Sequence, residues 1–439
     1  MVFGIDLGTT NSLIGAGDIM YTGLVSSNVD IGSGKQVGRD IYGENIMASY
    51  KTDMGMSDSA QPAVYCSSVI LKTLANTAKR RSGEEVKDVC ISVPAYFATT
   101  QREAVKKAAE MAGLNLSRIV NEPTAAAIFV CRDIRDFVVV YDLGGGTFDV
   151  TIIDTRDGVY RTIATDGEVL GGDDLDEAIC KFLLDKYKVR MLYRKAANLN
   201  RLKVSVRLAK EHIQKTGETA FVDFSYLGKT TDAELTVDEY RKLTEDTFGP
   251  TITKTTALLD KYVPSYENPK IIYTGGSTYC PYLMELLESE LGLEKLEYTA
   301  DKDKLVAHGI AYIAELVENG EDSQFITNVT KRLSIEHDDG STIQVIEENT
   351  IVPCTIRMPL VNVIDTDKLM IRLYQGNAYM AKDNDYIGTL EYHYGSFVPE
   401  GEGLVNLDVT VSYDGVVTLK VFGLTEDETQ AQDIKLTLR

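Results

Sequence analysis

Basic residues are scarce in this chain. Lys and Arg total 45 against 66 Asp and Glu, a formal charge of −21, and the only basic run is Lys79-Arg80-Arg81. A surface so acidic repels nucleic acid and anionic lipid, so neither is expected as a partner. Proline is also sparse, at 10 residues against 35 Gly, and 44% of residues are hydrophobic. Those figures exclude a collagen-like chain and leave ample apolar material for a core. The six cysteines (Cys66, Cys90, Cys131, Cys180, Cys280, Cys354) include no CxxC pair and no Cys/His spacing that suits zinc. Settings such as Val89-Cys90-Ile91 read as buried reduced thiols. The four histidines (His212, His308, His337, His393) are dispersed, and none is assigned a catalytic role. No apolar stretch approaches the roughly 18 residues of a membrane helix. The opening Val2-Phe3-Gly4-Ile5-Asp6 shows no signal-peptide pattern, so a soluble, cytoplasmic protein is expected.

An internal echo organises the first 320 of the 439 residues. Val2-Phe3-Gly4-Ile5 leads into Asp6-Leu7-Gly8-Thr9-Thr10 and a second apolar run from Asn11. Later, Phe137-Val138-Val139-Val140-Tyr141 leads into Asp142-Leu143-Gly144-Gly145-Gly146-Thr147 and the run from Phe148. Both read as strand, Asp-Leu-Gly turn, hydroxyl, strand. A third turn, Thr274-Gly275-Gly276-Ser277-Thr278, follows Ile271-Ile272-Tyr273 and precedes a helical pattern from Pro281. Strand, Gly-Gly and helix start form a phosphate- or nucleoside-binding arrangement.

Helical spacing recurs over Val64 to Arg81, Thr100 to Ala112, Asp173 to about Tyr187, and Arg201 to Lys215, with a Pro-initiated helix at Glu122-Pro123. Such alternation implies a mixed α/β architecture. Character changes at the polar Leu316-Val317-Glu318-Asn319-Gly320-Glu321-Asp322, read as a linker. Beyond it, period-two runs such as Leu369 to Leu373 and Val405 to Val411, punctuated by Asp338-Asp339-Gly340 and Asp414-Gly415, predict an all-β domain of about eight short strands, ending in an alternating segment from Ile434 to Leu438.

Each Asp-Leu-Gly turn sets a carboxylate at the end of an apolar strand, beside amides that glycine frees. Such amides hold phosphate oxygens, and the carboxylate can hold magnesium through its water shell. One such turn is weak evidence. Two, with the Gly-Gly-Ser-Thr turn, point to a divided nucleotide cleft.

Five motifs carry a closer resemblance: Gly4 to Ser12, Val93-Pro94-Ala95-Tyr96-Phe97, Asn121 to Ala127, Tyr141 to Asp149, and Leu170-Gly171-Gly172-Asp173-Asp174-Leu175-Asp176. In this order they resemble the signatures of the 70-kilodalton heat-shock chaperones (DnaK type), and actins or sugar kinases would not carry all five. Glu348 to Pro353 and Tyr374-Gln375-Gly376 extend the resemblance more weakly past the linker.

The resemblance implies an α/β actin-like ATPase domain of two lobes, with duplicated ribonuclease-H-like cores, over residues 1–317. A linker (318–328) and an all-β sandwich for peptide (329–439) follow. It implies ATP/ADP with Mg2+ and K+, and slow hydrolysis by a positioned water. Asp6 and Asp142 would order the magnesium water shell, and Lys51, Glu122, Asp142, Thr147 and Asp149 would serve hydrolysis. Gly8, Thr9, Thr10, Asn11, Gly144, Gly145 and Gly146 would take phosphates. The nucleoside would meet Gly171, Gly172, Asp173, Arg207, Lys210, Gln214, Gly275, Gly276, Ser277, Tyr279 and Asp303. Pro94 and Arg102 resemble a coupling switch, and Arg118 and Asn121 a J-domain contact. Leu369, Ile371 and Leu373 match the strand that receives an extended apolar peptide; ordinary sandwich core is the alternative.

The departures matter too. Arg207 stands where a glutamate normally accepts the ribose hydroxyls, and a guanidinium cannot accept hydrogen bonds. Tyr279 replaces an arginine, and Gln214 a serine. The stretch from Lys51 to Pro94 is short, which implies a trimmed upper subdomain and makes a nucleotide-exchange partner doubtful. Gln324-Phe325-Ile326-Thr327-Asn328 replaces an acidic, leucine-rich linker, Glu336-His337-Asp338-Asp339 is acidic where an apolar arch is usual, and a short form lacking the helical lid is expected. The leading expectation is an ATP-dependent chaperone for extended apolar segments. The alternative is a nucleotide-binding regulator or scaffold with slow or no hydrolysis, whose β-domain binds one dedicated partner. A filament-forming or sugar-phosphorylating actin relative fits the β-rich tail poorly.

Overall fold

The computed structural model describes residues 1–31, 37, 46–47, 50–54, 60–95, 97–264, 267–321, 325–326, 329, 331–348, 350–412, 415–423 and 432–434. Tyr96, Asn349, Asp414, most of the linker core (Gln324, Thr327, Asn328) and residues 435–438 of the final alternating segment lie outside them.

The first sheet contains β1 (Val2–Asp6), β2 (Asn11–Ala16), β3 (Ile19–Met20), β4 (Val25–Ser26), β7 (Asp88–Val93) and β8 (Asn115–Asn121). Its order is β3-β2-β1-β7-β8, with β4 beside β2. A separate ribbon pairs β5 (Val29–Asp30) with β6 (Ile46–Met47). The second sheet contains β9 (Phe137–Leu143), β10 (Phe148–Asp154), β11 (Tyr160–Glu168), β14 (Lys270–Thr274), β15 (Glu294–Lys295) and β16 (Phe325–Ile326), ordered β15-β14-β9-β10-β11-β16. The short β12 (Ala220–Val222) and β13 (Ala233–Leu235) pair with each other.

The internal echo is therefore structural. In each sheet the strand before the Asp-Leu-Gly turn pairs antiparallel with the strand after it and parallel with a later strand. The parallel partner in turn pairs parallel with one more.

Helices α1 (Ala60–Ser82) and α2 (Thr99–Ala112) pack on the first sheet, burying Leu71, Leu74, Val105 and Ala108. On the second lie α4 (Gly172–Lys186), α5 (Ala196–Thr216), α6 (Val237–Tyr262) and α7 (Pro281–Leu291). Between the sheets, α3 (Glu122–Val130) meets α8 (Leu305–Asn319) in a third core. Their approach is close because both are built of small residues there: a Cβ on Gly309 would stand 2.0 Å from the Ala125 carbonyl oxygen.

The structure refines one reading and adds two elements. Helix α8 runs through Asn319 and ends at a left-handed Gly320, so the polar stretch opens as a last helical turn. A 3-10 turn, Gly276–Tyr279, separates the third glycine turn from α7. The 26-residue α6, with Pro250 inside it, went unread.

The C-terminal β-unit has eight strands among the described residues, in two sheets. One orders β18 (Thr342–Ile346), β17 (Leu333–Glu336), β20 (Thr366–Gln375) and β21 (Asp385–Val398). The other orders β19 (Cys354–Leu360), β22 (Val405–Val411), β23 (Val417–Gly423) and β24 (Gln432–Ile434). They enclose one core, in which Ile335 and Leu390 meet Leu407 and Leu419. Not every strand is short: β21 has 14 residues.

Two joints tie this unit to the rest. Strand β16 adds in parallel to the edge of the second sheet, Phe325 opposite Tyr160 and Ile326 opposite Arg161. At the start of α2, the Thr99 amide donates to Gln375 Oε1 at 3.3 Å and its hydroxyl to the Gly415 carbonyl at 3.4 Å.

Candidate functional site

The Asp-Leu-Gly turns of the two sheets face each other across a cavity of about 610 Å³. Local pairing builds each turn. In the first, Gly8 donates its amide to Ser12 Oγ at 3.2 Å, while its carbonyl accepts from Ser27 Oγ at 2.7 Å. In the second, the Gly144 amide bonds the Thr147 carbonyl at 2.9 Å, and the Gly144 carbonyl accepts from Ser277 Oγ and the Gly172 amide. The turns nearly touch, since a Cβ on Gly145 would lie 2.0 Å from Thr10 Oγ1.

Asp6, Glu122 and Asp142 line the cavity and are buried. Asp6 accepts from Ser92 Oγ at 2.8 Å. Burial and the charge of Glu122 push the Asp6 carboxyl up to about 7, against the pull of Lys51 and the Ser92 hydrogen bond. Asp142 is driven well above the ordinary carboxylate range by burial, then by Glu122 and Asp6. Lys51, on a 3-10 turn and 3% exposed, sits 2.5 Å from Glu122 Oε1, with Phe97 beneath its ammonium. It is therefore not a solvated surface lysine.

Around Lys51, one cation faces the three buried carboxylates Asp6, Glu122 and Asp142, a local excess of acid that a further cation would offset. Among the described residues no group of three or more His, Cys, Asp or Glu stands close enough to ligate a metal directly. Thr10 Oγ1 and Asn11 Oδ1 are buried at the cavity wall with no hydrogen-bond partner among the described residues, which suits a polar ligand at the first turn.

At the opposite end Arg207 donates to Asp176 at 3.1 Å and Asp173 at 2.8 Å, and Lys210 pairs with Asp176 at 2.6 Å. Gln214 donates to the Tyr240 hydroxyl, and Tyr279, 45% exposed, bonds Asp303 at 3.3 Å. Gly275 holds a φ of +87° with its α-hydrogen facing the Leu143 carbonyl, a conformation that suits glycine.

Most residues expected at the nucleotide therefore line this one cavity: Gly8, Thr9, Thr10, Asn11, Gly144, Gly145, Thr147, Gly172, Asp173, Arg207, Lys210, Gln214, Gly275, Gly276, Ser277, Tyr279 and Asp303. Lys51, Asp149, Gly146 and Gly171 do not line the cavity. Ser26, Asn28, Glu211, Lys215, Lys302 and Val306 do line it and were not anticipated. Asp303 was read, and its neighbour Lys302 was the available signal; Ser26 and Asn28 arrive only because β4 folds back along β2.

Elsewhere, Arg102 donates to Asn121 Oδ1 at 2.7 Å and to the Phe97 carbonyl, joining α2 to β8. Pro94 follows β7 directly. Arg118 and Asn121, read as a partner contact, are buried at 6% and 3% exposure. Leu369, Ile371 and Leu373 do share a face, and it is the inner one: Ile371 and Leu373 are in the core, with Leu369 packed against it.

Paired sheets of one strand order, closing on an acidic, glycine-rimmed cavity and joined to a β-unit, define a two-sheet α/β protein with a central ligand cleft. The Hsp70 protein family model matches residues 44–438. The chaperone protein DnaK of Mycoplasma mobile is 30% identical over 472 aligned positions, covering 99% of this chain and 78% of that protein. The chain belongs to the Hsp70 family, whose members are ATP-dependent molecular chaperones.

Proposed function

We propose that this chain binds ATP with Mg2+ between its lobes, hydrolyses it slowly, and uses the nucleotide state to control binding of extended peptide by its β-unit. The reading treats residues 1–317 as a two-lobed actin-like domain with duplicated ribonuclease-H-like cores, 318–328 as linker and 329–439 as a peptide-binding sandwich. The carrying observation is the under-compensated cluster Asp6, Glu122 and Asp142 beside two glycine turns with unpartnered Thr10 and Asn11 oxygens. Asp6 and Asp142 would hold hydrated magnesium, which when bound supplies charge neutralisation at the phosphates. Potassium would share the acidic cleft.

In this scheme the turns carrying Gly8 to Asn11 and Gly144 to Thr147 orient the phosphates. Glu122, held by Lys51, and Asp149 position the attacking water, and Thr147 sits beside them. Gly171, Gly172, Asp173, Lys210, Gln214 and Tyr279 frame the nucleoside. Arg207 faces two carboxylates, so its guanidinium is already satisfied. Docking of β16 and the Thr99–Gln375 bond describe a joined state, and separation of the two units would follow hydrolysis. Peptide would be received along β20 near Leu369, and a J-domain protein would act near the α2–β8 joint.

Multiple-turnover ATPase assays with magnesium and potassium test the reading, with Asp142→Ala as control. Activity that disappears in the control supports it. Activity that survives, or no activity with tight nucleotide binding, removes hydrolysis from the scheme.

A further inference from the structure

We propose that the nucleoside end of the cleft leaves the sugar unread, because Arg207 occupies its acceptors, so that 2′-deoxy and 3′-deoxy adenine nucleotides bind as tightly as the ribonucleotides. This rests on the nucleotide reading of the cavity and adds the class of sugar that it takes. A ribose hydroxyl gains most from a protein when a carboxylate accepts its proton, because that bond is charge-assisted. Without such an acceptor the hydroxyl keeps a water molecule, and its removal costs the ligand little.

Three carboxylates at this end are committed to side chains of the protein. Asp173 lines the cavity, yet its Oδ1 accepts from Arg207 at 2.8 Å. Asp176, 2% exposed, accepts from Arg207 Nε on one oxygen at 3.1 Å and meets Lys210 Nζ on the other at 2.6 Å. Asp303, also in the lining, accepts from the Tyr279 hydroxyl at 3.3 Å. Arg207 belongs to α5 and both its carboxylates stand in the first turns of α4, so the guanidinium ties the two helices together. Lys210 adds a bond to the Gly172 carbonyl at 3.2 Å. These two cations offer a sugar donors alone, and each N–H given to a hydroxyl oxygen competes with a carboxylate already in place.

Glu211 is the remaining carboxylate in the lining of this end. It stands one turn past Arg207, about 6 Å further along α5 at about 1.5 Å per residue, on the way to Gln214. That offset removes it from the Gly172 and Asp173 edge, where Arg207 and Lys210 gather, and makes it the control position.

The test is titration calorimetry on the full chain with magnesium and ADP, 2′-deoxy-ADP or 3′-deoxy-ADP, which avoids turnover. The three are expected to bind within about twofold of one another. Arg207→Gln releases Asp173 from its ion pair, and this variant is expected to prefer ADP over the deoxy forms by about fivefold. Glu211→Gln should leave the ratios unchanged. A parent chain that prefers ADP by about tenfold or more overturns the proposal, and loss of that preference in Glu211→Gln would assign the sugar contact to Glu211. An Arg207→Gln variant that binds ADP and stays indifferent to the sugar overturns it as well, since Arg207 would not be what hides the acceptor. If none of the three nucleotides binds, the nucleotide reading fails and takes this proposal with it, whereas binding with a sugar preference leaves that reading intact.

Discussion

Lys51 and its carboxylates set the chemistry at the residue scale. A lysine 3% exposed and 2.5 Å from Glu122 cannot be removed without leaving that carboxylate buried and unpaired. Lys51→Met should lower stability by about 3 kcal/mol and cut ATP turnover about a hundredfold, read by chemical denaturation and steady-state kinetics. Asp6 predicts a pH dependence with a definite sign. Its carboxyl is raised from 3.8 to about 7, so between those values the folded protein holds a proton that the unfolded chain has released. Stability without nucleotide should therefore fall as pH rises through that window. Denaturation at pH 5 and 8 checks this, and Asp6→Asn should flatten the difference. A profile that rises with pH across the window would show that Asp6 ionises freely.

Elements differ in how openly the sequence declares them. The two Asp-Leu-Gly hairpins were legible because everything that makes them is local: an apolar strand, a glycine reversal and a hydroxyl. Helix α6 was not, because its buried face is rich in threonine. Thr244, Thr251 and Thr255 are buried, and their hydroxyls bond back to the carbonyls of Tyr240, Phe248 and Thr251, so the helix satisfies polar groups that break an apolar periodicity. The end of α8 misled for a related reason: Leu316 packs inward while its last turn turns polar residues to water. The loop before β20 hid its buried Asn362 among exposed apolar neighbours. Asn362→Ala would orphan the Gly403 amide and three carbonyls, and should cost about 2–3 kcal/mol in urea denaturation of the full chain. A cost below about 0.5 kcal/mol would mean that water replaces those bonds.

At the scale of the whole molecule, the meeting of the glycine turns in one divided cleft was readable from the motifs, but the residues that chain return adds to it were not. Ser26, Asn28 and Lys302 reach the cavity only through chain return and closure of the lobes. The same holds for the joint with the β-unit. Ala98, the N-cap of α2, offers no side-chain acceptor, and Thr99 instead donates its amide to Gln375 of β20. The helix start is therefore completed by the other unit, and undocking returns that amide to water. Gln375 is 5% exposed, so the bond is screened little by solvent. Gln375→Ala should shift the balance toward separated units by about 1 kcal/mol, roughly a fivefold change in the equilibrium. Distance measurements between dyes on α2 and β22, with and without magnesium-ATP, read that balance directly. A variant that stays docked as fully as the parent would assign the joint to the β16 edge pairing alone, whereas a variant that separates even with ATP would make this single cap the main hold of the β-unit on the first lobe.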